Sequence, residues 1–228
     1  IVFGDWSSDV CSSDLLEGPG NFGKTEAWHI IEAAPEATLI AGMKPGTTAE
    51  TLETVMRNGT ITEHTQSLRV QAGDTIFMPA GTVHALGPGL LVYEVQQTSD
   101  WTYRVYDWGR PETPTRRLHI DKSLAVSRPE AVASAHPLPA LADGQPALLC
   151  ESPYFRLEML SAETQPVALD TRGESFHAIT VLEGAALIVT PGGEVTLKRF
   201  ETAVIPAACG SYWVEPLTAF RALRTGVV

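Results

Sequence analysis

Two residues give the first hint of chemistry. His84 closes the run Gly73-Asp74-Thr75-Ile76-Phe77-Met78-Pro79-Ala80-Gly81-Thr82-Val83-His84, and Glu26 follows Gly23-Lys24-Thr25 at the start of an apolar stretch. A neutral imidazole is the commonest biological metal ligand. A carboxylate beside an imidazole suits zinc or another divalent first-row ion. Each residue also has a plainer role open to it. A lone histidine more often packs in a core or faces solvent, and a glutamate opening a strand usually faces water. Two ligands are also too few, because a catalytic zinc usually takes three protein ligands plus water.

The elements that would position these two residues read as β-structure. Gly73 and Asp74 suit a tight turn. Pro79 ends a strand where its missing N–H does no harm, and Gly81 frees the backbone to swing the next strand inward with His84. Apolar runs at Ala27–Ala33, Ala37–Ala41, Leu68–Val70, Thr75–Met78, Val83–Leu86, Leu90–Gln97 and Thr102–Tyr106 read as short strands. Between them, Ala49–Arg57 places Leu52, Val55 and Met56 at helical spacing. Thr47 or Thr48 would cap that helix, with Glu50 near the capping-box position, and Asn58-Gly59 would end it. Thr60–Gln66 is expected to form a second short helix. Arg110–Leu149 holds six prolines and no sustained period, so it reads as a connector with one helical turn near Lys122–Val126. Short strands resume from Tyr154.

Two segments repeat weakly. Ala72–His84 overlays Arg199–Ser211 with Pro79 on Pro206, an offset of 127, and Glu26–Ala33 overlays His177–Gly184, an offset of 151. The difference of 24 residues matches Lys44–Gln66, so the first copy reads as the second plus a helical insertion. In this overlay Glu26 falls on His177, another metal-competent side chain, and His84 falls on Ser211. The second copy is therefore expected to lack a metal pair, with His177 in a packing role.

Composition narrows the function. Of 228 residues 44% are hydrophobic and 19% charged, an ordinary globular balance. A net charge of −11 argues against nucleic acid, which needs a basic stripe, and no 18-residue apolar run offers a membrane span. Cys11, Cys150 and Cys209 are odd in number and widely spaced, which suggests neither a disulfide framework nor a zinc knuckle and fits a reducing cytoplasm. Ile1–Leu15 has no strand or helix period, contains Ser-Ser-Asp twice and resembles a translated sequencing-adapter run. Residues 1–17 are accordingly expected to be a non-native leader.

A repeated unit of short strands carrying G-D-x-x-x-x-P-A-G-x-x-H resembles the cupin family. Its fold is a double-sheet jelly roll. The resemblance implies an all-β fold of two cupin (jelly-roll) domains, the first with a small helical insertion. A catalytic cupin at 18–110, a linker at 111–150 and a degenerate C-terminal cupin at 151–228 are expected. Gly23-Lys24-Thr25-Glu26-Ala27-Trp28, Pro79–Gly87 and Glu94–Asp100 with Tyr103–Asp107 are similar, in order, to motifs of the short class I mannose-6-phosphate isomerases. That resemblance implies an aldose–ketose isomerase acting on mannose 6-phosphate and fructose 6-phosphate. It implies one Zn2+ or other divalent first-row ion held by Glu26 and His84, and Lys24, Glu94, Asp100 and Arg104 facing the sugar. A small phosphorylated sugar would be the partner, with no nucleic acid, no membrane, a cytoplasmic setting and room for a homo-oligomer. The family also has a Gln-x-His motif upstream, which supplies two further ligands; this sequence contains none, and the motif would belong where Ile1–Leu15 stands. The departure puts metal binding by this chain in doubt. A non-catalytic sugar-binding metal cupin and an inactive fragment are the rival readings.

Overall fold

Short apolar runs, cut by glycine and proline turns, cannot form long helices here; they pair instead as antiparallel strands. The computed structural model describes residues 2–3, 8–11, 23–99, 101–131, 133 and 135–228, with backbone alone for 2–3 and 8–11. The chain divides into two compact units, Ile1–Pro137 and Leu138–Val228.

The first unit contains β1 (Val2–Phe3), β2 (Ser8–Cys11), β3 (Glu26–Ala33), β4 (Thr38–Met43), α1 (Ala49–Asn58), β5 (Thr65–Arg69), β6 (Thr75–Met78), β7 (Val83–Ala85), β8 (Leu90–Gln96), β9 (Thr102–Tyr106), α2 (Ile120–Val126) and β10 (Ala135–His136). One sheet runs β1-β8-β3-β6-β10 and the other β5-β4-β7-β2-β9. Trp28, Ile30, Ile76, Met78 and Val92 from the first sheet and Leu39 and Ala41 from the second share one buried cluster. The two sheets therefore face each other, as a double-layered β-fold must to bury its apolar faces. A second cluster covers the outer side of the β5-β4-β7-β2-β9 sheet, where Met43, Val83, Tyr103 and Val105 pack with Leu52, Val55 and Met56 of α1 and Val126 of α2.

The second unit contains β11 (Gln145–Glu151), β12 (Arg156–Ala162), β13 (Val167–Asp170), β14 (His177–Glu183), β15 (Ala185–Thr190), β16 (Gly193–Lys198), β17 (Thr202–Ile205), β18 (Ser211–Pro216) and β19 (Phe220–Gly226). Its sheets run β11-β12-β19-β14-β17 and β13-β18-β15-β16. Again both sheets feed one cluster, with Leu160, Ile179, Val181 and Phe220 from one and Val167, Ile188, Tyr212 and Val214 from the other.

Strand order repeats between the units. β1-β8-β3-β6 corresponds to β12-β19-β14-β17, and β5-β4-β7-β2 to β16-β15-β18-β13. Register repeats too: Glu26 lies opposite Met78, just before Pro79, and His177 lies opposite Ile205, just before Pro206. The helix expected within Lys44–Gln66 stands between β4 and β5, while the corresponding β15 and β16 are joined by a tight turn. Thr48, rather than Thr47, caps α1, its hydroxyl accepting from Thr51 N at 3.1 Å, and Gly59 closes the helix at φ 70°.

Three expectations change. Thr60–Gln66 gives only a single 3-10 turn at Ile61–Glu63 before β5 begins, because three residues leave no length for a further α-turn. The stretch 111–150, expected as a connector with one helical turn near Lys122–Val126, has that helix as α2, packed on β9. It also holds strands, β10 pairing with β6 and β11 with β12. Gly81 shows the cost of that packing: at φ 89°, a Cβ there would meet Val126 O at 2.7 Å. Finally, within Ile1–Leu15, expected to lack strand character, Val2–Phe3 and Ser8–Cys11 take strand backbone, and β2 lies between β7 and β9.

Candidate active site

β3 and β7 bring the first two candidates together. Glu26 heads β3 and His84 sits mid-β7; they are 1% and 6% exposed, and His84 Nε2 lies 3.0 Å from Glu26 Oε1. His84 is oriented from behind. Its Nδ1 is 2.8 Å from the Thr82 carbonyl, which can only accept, so Nδ1 carries the proton. Nε2 then faces Glu26 Oε1 across a gap that a shared proton or a cation must fill, since two lone pairs at that distance repel. The spacing is also that of neighbouring ligands on one metal with bonds of about 2 Å. Among the described residues no hydrogen bond reaches the buried Glu26 Oε1. This donor set fits a divalent first-row ion, yet among the described residues no third His, Cys, Asp or Glu completes a group of three.

Lys24 and Glu94 complete the cluster. Lys24 Nζ contacts Glu26 Oε2 and donates to Glu94 Oε1 at 2.9 Å. Its side chain is 13% exposed, which keeps the contacts from being screened away. Burial pushes the Glu26 carboxyl up, but His84 and Lys24 outweigh it and hold it at about 2. Burial and then the neighbouring Glu26 charge raise Glu94 above the ordinary carboxylate range, with Lys24 opposing. The result is one carboxylate kept ionised and a second that holds a proton more readily, the division of labour acid–base chemistry needs.

Arg104 reaches the site by strand register. Position 9 on β2 pairs with His84 on one side and Arg104 on the other. The two side chains thus lie in one row, two strand spacings or about 10 Å apart. Tyr103 and Val105, its neighbours on β9, are buried in the outer cluster, so alternation turns Arg104 to the face His84 uses. The segment before α2 pins its backbone: His119 N donates to Arg104 O at 2.8 Å, and Arg104 N donates to His119 Nδ1 at 3.2 Å. Asp107, a candidate ion-pair partner for Arg104, has its carboxylate bound at 2.6 Å by Arg110 and at 2.7 and 3.0 Å by Arg116. Asp100 lies outside the described residues.

Several supporting residues were not singled out from the sequence. Trp28 packs edge-on against the His84 ring at 5.3 Å, and its position two residues after Glu26 on one strand face was the available signal. Gln97 Oε1 accepts from Thr25 N at 2.8 Å, tying the end of β8 to the loop that carries Lys24. One sequence correspondence is corrected. Tyr212, not Ser211, takes the inward place of His84: it is fully buried, and its hydroxyl lies 2.7 Å from His177 Nδ1, as His84 meets Glu26. The turn after Pro206 is one residue longer than the turn after Pro79, with Ala207–Cys209 forming a 3-10 turn, and one residue flips a strand's faces.

Comparison with known proteins places this geometry. No family model matches the chain. It is 32% identical over 200 residues to the mannose-6-phosphate isomerase of Bacillus subtilis, covering 86% of this chain and 62% of that protein. It is 30% identical over 214 residues to the mannose-6-phosphate isomerase of Streptococcus mutans, covering 91% and 67%. The chain thus spans less than two thirds of the Bacillus relative's length. The crystal structure of mannose 6-phosphate isomerase from Bacillus subtilis superposes with a TM-score of 0.77 at 25% identity, covering 98% of this chain and 72% of that one.

Proposed function

The chain belongs to the mannose-6-phosphate isomerase family, and on that footing we propose that it is a metal-dependent aldose–ketose isomerase interconverting mannose 6-phosphate and fructose 6-phosphate. In this reading the two units are two cupin barrels and the first carries the reaction. The observation that supports it most is the buried Glu26–His84 contact at 3.0 Å beside Lys24 and Glu94. A structural ion pair needs no second carboxylate and no ammonium at the same point.

Glu26 and His84 would hold Zn2+ or another divalent first-row ion, one per chain, which when bound supplies a Lewis acid for the sugar oxygens. The chain's own residues do the rest. Isomerisation moves a proton between C1 and C2 through an enediolate. Glu94, held by Lys24, takes and returns that proton. The Lys24 ammonium and the Arg104 guanidinium stabilise the negative charge that develops on the two oxygens. The Arg104 guanidinium presents a planar fork of donors. The molecule as a whole carries −11, so a phosphorylated sugar gains no long-range steering and depends on such local cations.

A coupled assay with mannose 6-phosphate tests this, run with zinc, with chelator, and on His84→Ala. With no Gln-x-His in the sequence, weak turnover is expected, abolished by chelator and by His84→Ala. Turnover indifferent to both would remove the metal pair from the mechanism.

A further inference from the structure

The second unit has a cavity of about 910 Å3, lined among others by Arg156, Arg172, His177, Tyr212, Trp213 and Arg224. It corresponds, strand by strand, to the Glu26–His84 cluster. His177 takes the place of Glu26, and Tyr212 that of His84. Trp28 lies opposite Glu94 just as Ile179 lies opposite Arg224, so Arg224 takes the place of Glu94. The geometry is kept while each donor is exchanged. A carboxylate becomes an imidazole, the imidazole a phenol, and the second carboxylate a guanidinium. A set of Arg, Tyr and His is poor at holding a cation and good at holding an anion.

Donor count agrees. Arg224 and Arg156 converge on one buried carboxylate, Glu158, with Arg156 Nε 3.2 Å away. Two guanidiniums offer more N–H donors than one carboxylate can accept, and the surplus is of donors rather than of net charge, because Asp170 and Glu174 line the same cavity. Glu151 also reaches Arg156 at 3.4 Å, but it is half-exposed, where such a contact is screened. The Asp170 carboxylate accepts from the Ser211 hydroxyl at 2.8 Å and from Arg172 N at 2.7 Å. Burial and the nearby Arg224 lower His177 to about 4, while burial raises Tyr212, so both stay neutral hydrogen-bonding groups. At the rim Arg172 holds a left-handed backbone at φ 54°, a conformation that costs a non-glycine residue energy and collects at ligand sites. The volume lies within the usual range for small-molecule sites.

We propose that this cavity is a ligand site in its own right, binding a small metabolite through a carboxylate or phosphate group clamped by Arg224 and Arg156. The inference rests on the second unit's own residues and stands whether or not the first unit isomerises sugars.

The test uses the whole chain labelled with 5-fluorotryptophan, with the Trp213 resonance assigned through Trp213→Phe. Glucuronate, inorganic phosphate and glucose are titrated separately. Saturable shifts of the Trp213 signal with glucuronate or phosphate, and none with glucose, are expected; the tighter of the two anions names the group recognised. Arg224→Gln alone would strand the buried Glu158 charge and endanger folding. The double variant Arg224→Gln/Glu158→Gln removes both charges and keeps two polar groups in contact. Provided its circular dichroism matches the parent, anion affinity should fall about tenfold or more, the loss expected for a charge-assisted hydrogen bond. An unmoved Trp213 signal, an equal response to glucose, or unchanged affinity in the folded double variant would overturn the proposal.

Discussion

Arg104 is the residue on which structural and chemical roles separate most cleanly. Its position in the same row as His84, one strand removed across β2, suits a clamp on a sugar lying between them. The rival role, an ion pair with Asp107, competes with Arg110 and Arg116, which bind that carboxylate, although the Arg104 charge also reaches it. In the protein with an upstream Gln-x-His segment restored, Arg104→Ala should lower kcat about 10²–10³-fold while leaving zinc content unchanged, since a donor aimed at the transition state acts on kcat. Arg104→Lys should recover little of this, because an ammonium lacks the planar fork. Near-parental turnover with a slightly lower melting temperature would assign the residue to stability. A second residue, His29, makes a pH prediction. It is 2% exposed, 2.9 Å from the Thr75 hydroxyl, and burial lowers it to about 4 from 6.5. The folded protein then refuses a proton that the unfolded chain accepts. Stability is full above about 6.5 and falls as pH drops toward 4, by on the order of 3 kcal/mol from this group. Urea melts between pH 7 and 4.5 should show that slope, and His29→Gln should reduce it, leaving the share of His177, which is also lowered to about 4.

At the level of elements, legibility followed periodicity. α1 could be read because Leu52, Val55 and Met56 recur on one face between a capping threonine and a C-terminal glycine, all local signals. The tertiary role of that face was not local. It covers the outer side of the sheet that carries His84 and Arg104, together with Val126 of α2. α2 was legible as one helical turn near Lys122–Val126 and begins two residues earlier, at Ile120, but its packing on β9 was not legible. β10 is two residues long, and only its partner β6 makes it a strand. The exchange of Ser211 for Tyr212 has the same origin: an overlay of letters cannot see that one turn holds an extra residue. Because α1 supports the site from outside, Leu52→Ala should cost about 2–5 kcal/mol through the cavity it leaves. KM in the surviving folded fraction should stay close to the parent's. A large KM change without loss of stability would mean that α1 shapes the substrate pocket directly.

For the whole molecule, the decisive sequence signal was the repeat. Its two offsets differ by the length of a helical segment that the structure places between β4 and β5, while strand order and register around Glu26 and His177 coincide. Each unit therefore closes its own pair of sheets. In the second, the fourteen buried residues of the cluster, from Leu160 to Ala222, all lie within Leu138–Val228. Its polar ties also close internally, with Asp143 accepting from Glu163 N and Thr164, and Thr171 bridging Ala207 and Gly210. A segment of this size can fold alone when its core is complete. Residues 138–228 expressed by themselves should thus unfold in one cooperative thermal transition, with tertiary signals from Tyr212 and Trp213 lost together with secondary structure. A fragment that keeps strand content but melts without a transition would show that its core needs the rest of the chain. Cooperative melting would instead mean that the second unit's fold owes nothing to the metal pair of the first, so chelator should leave the transition of this fragment unmoved.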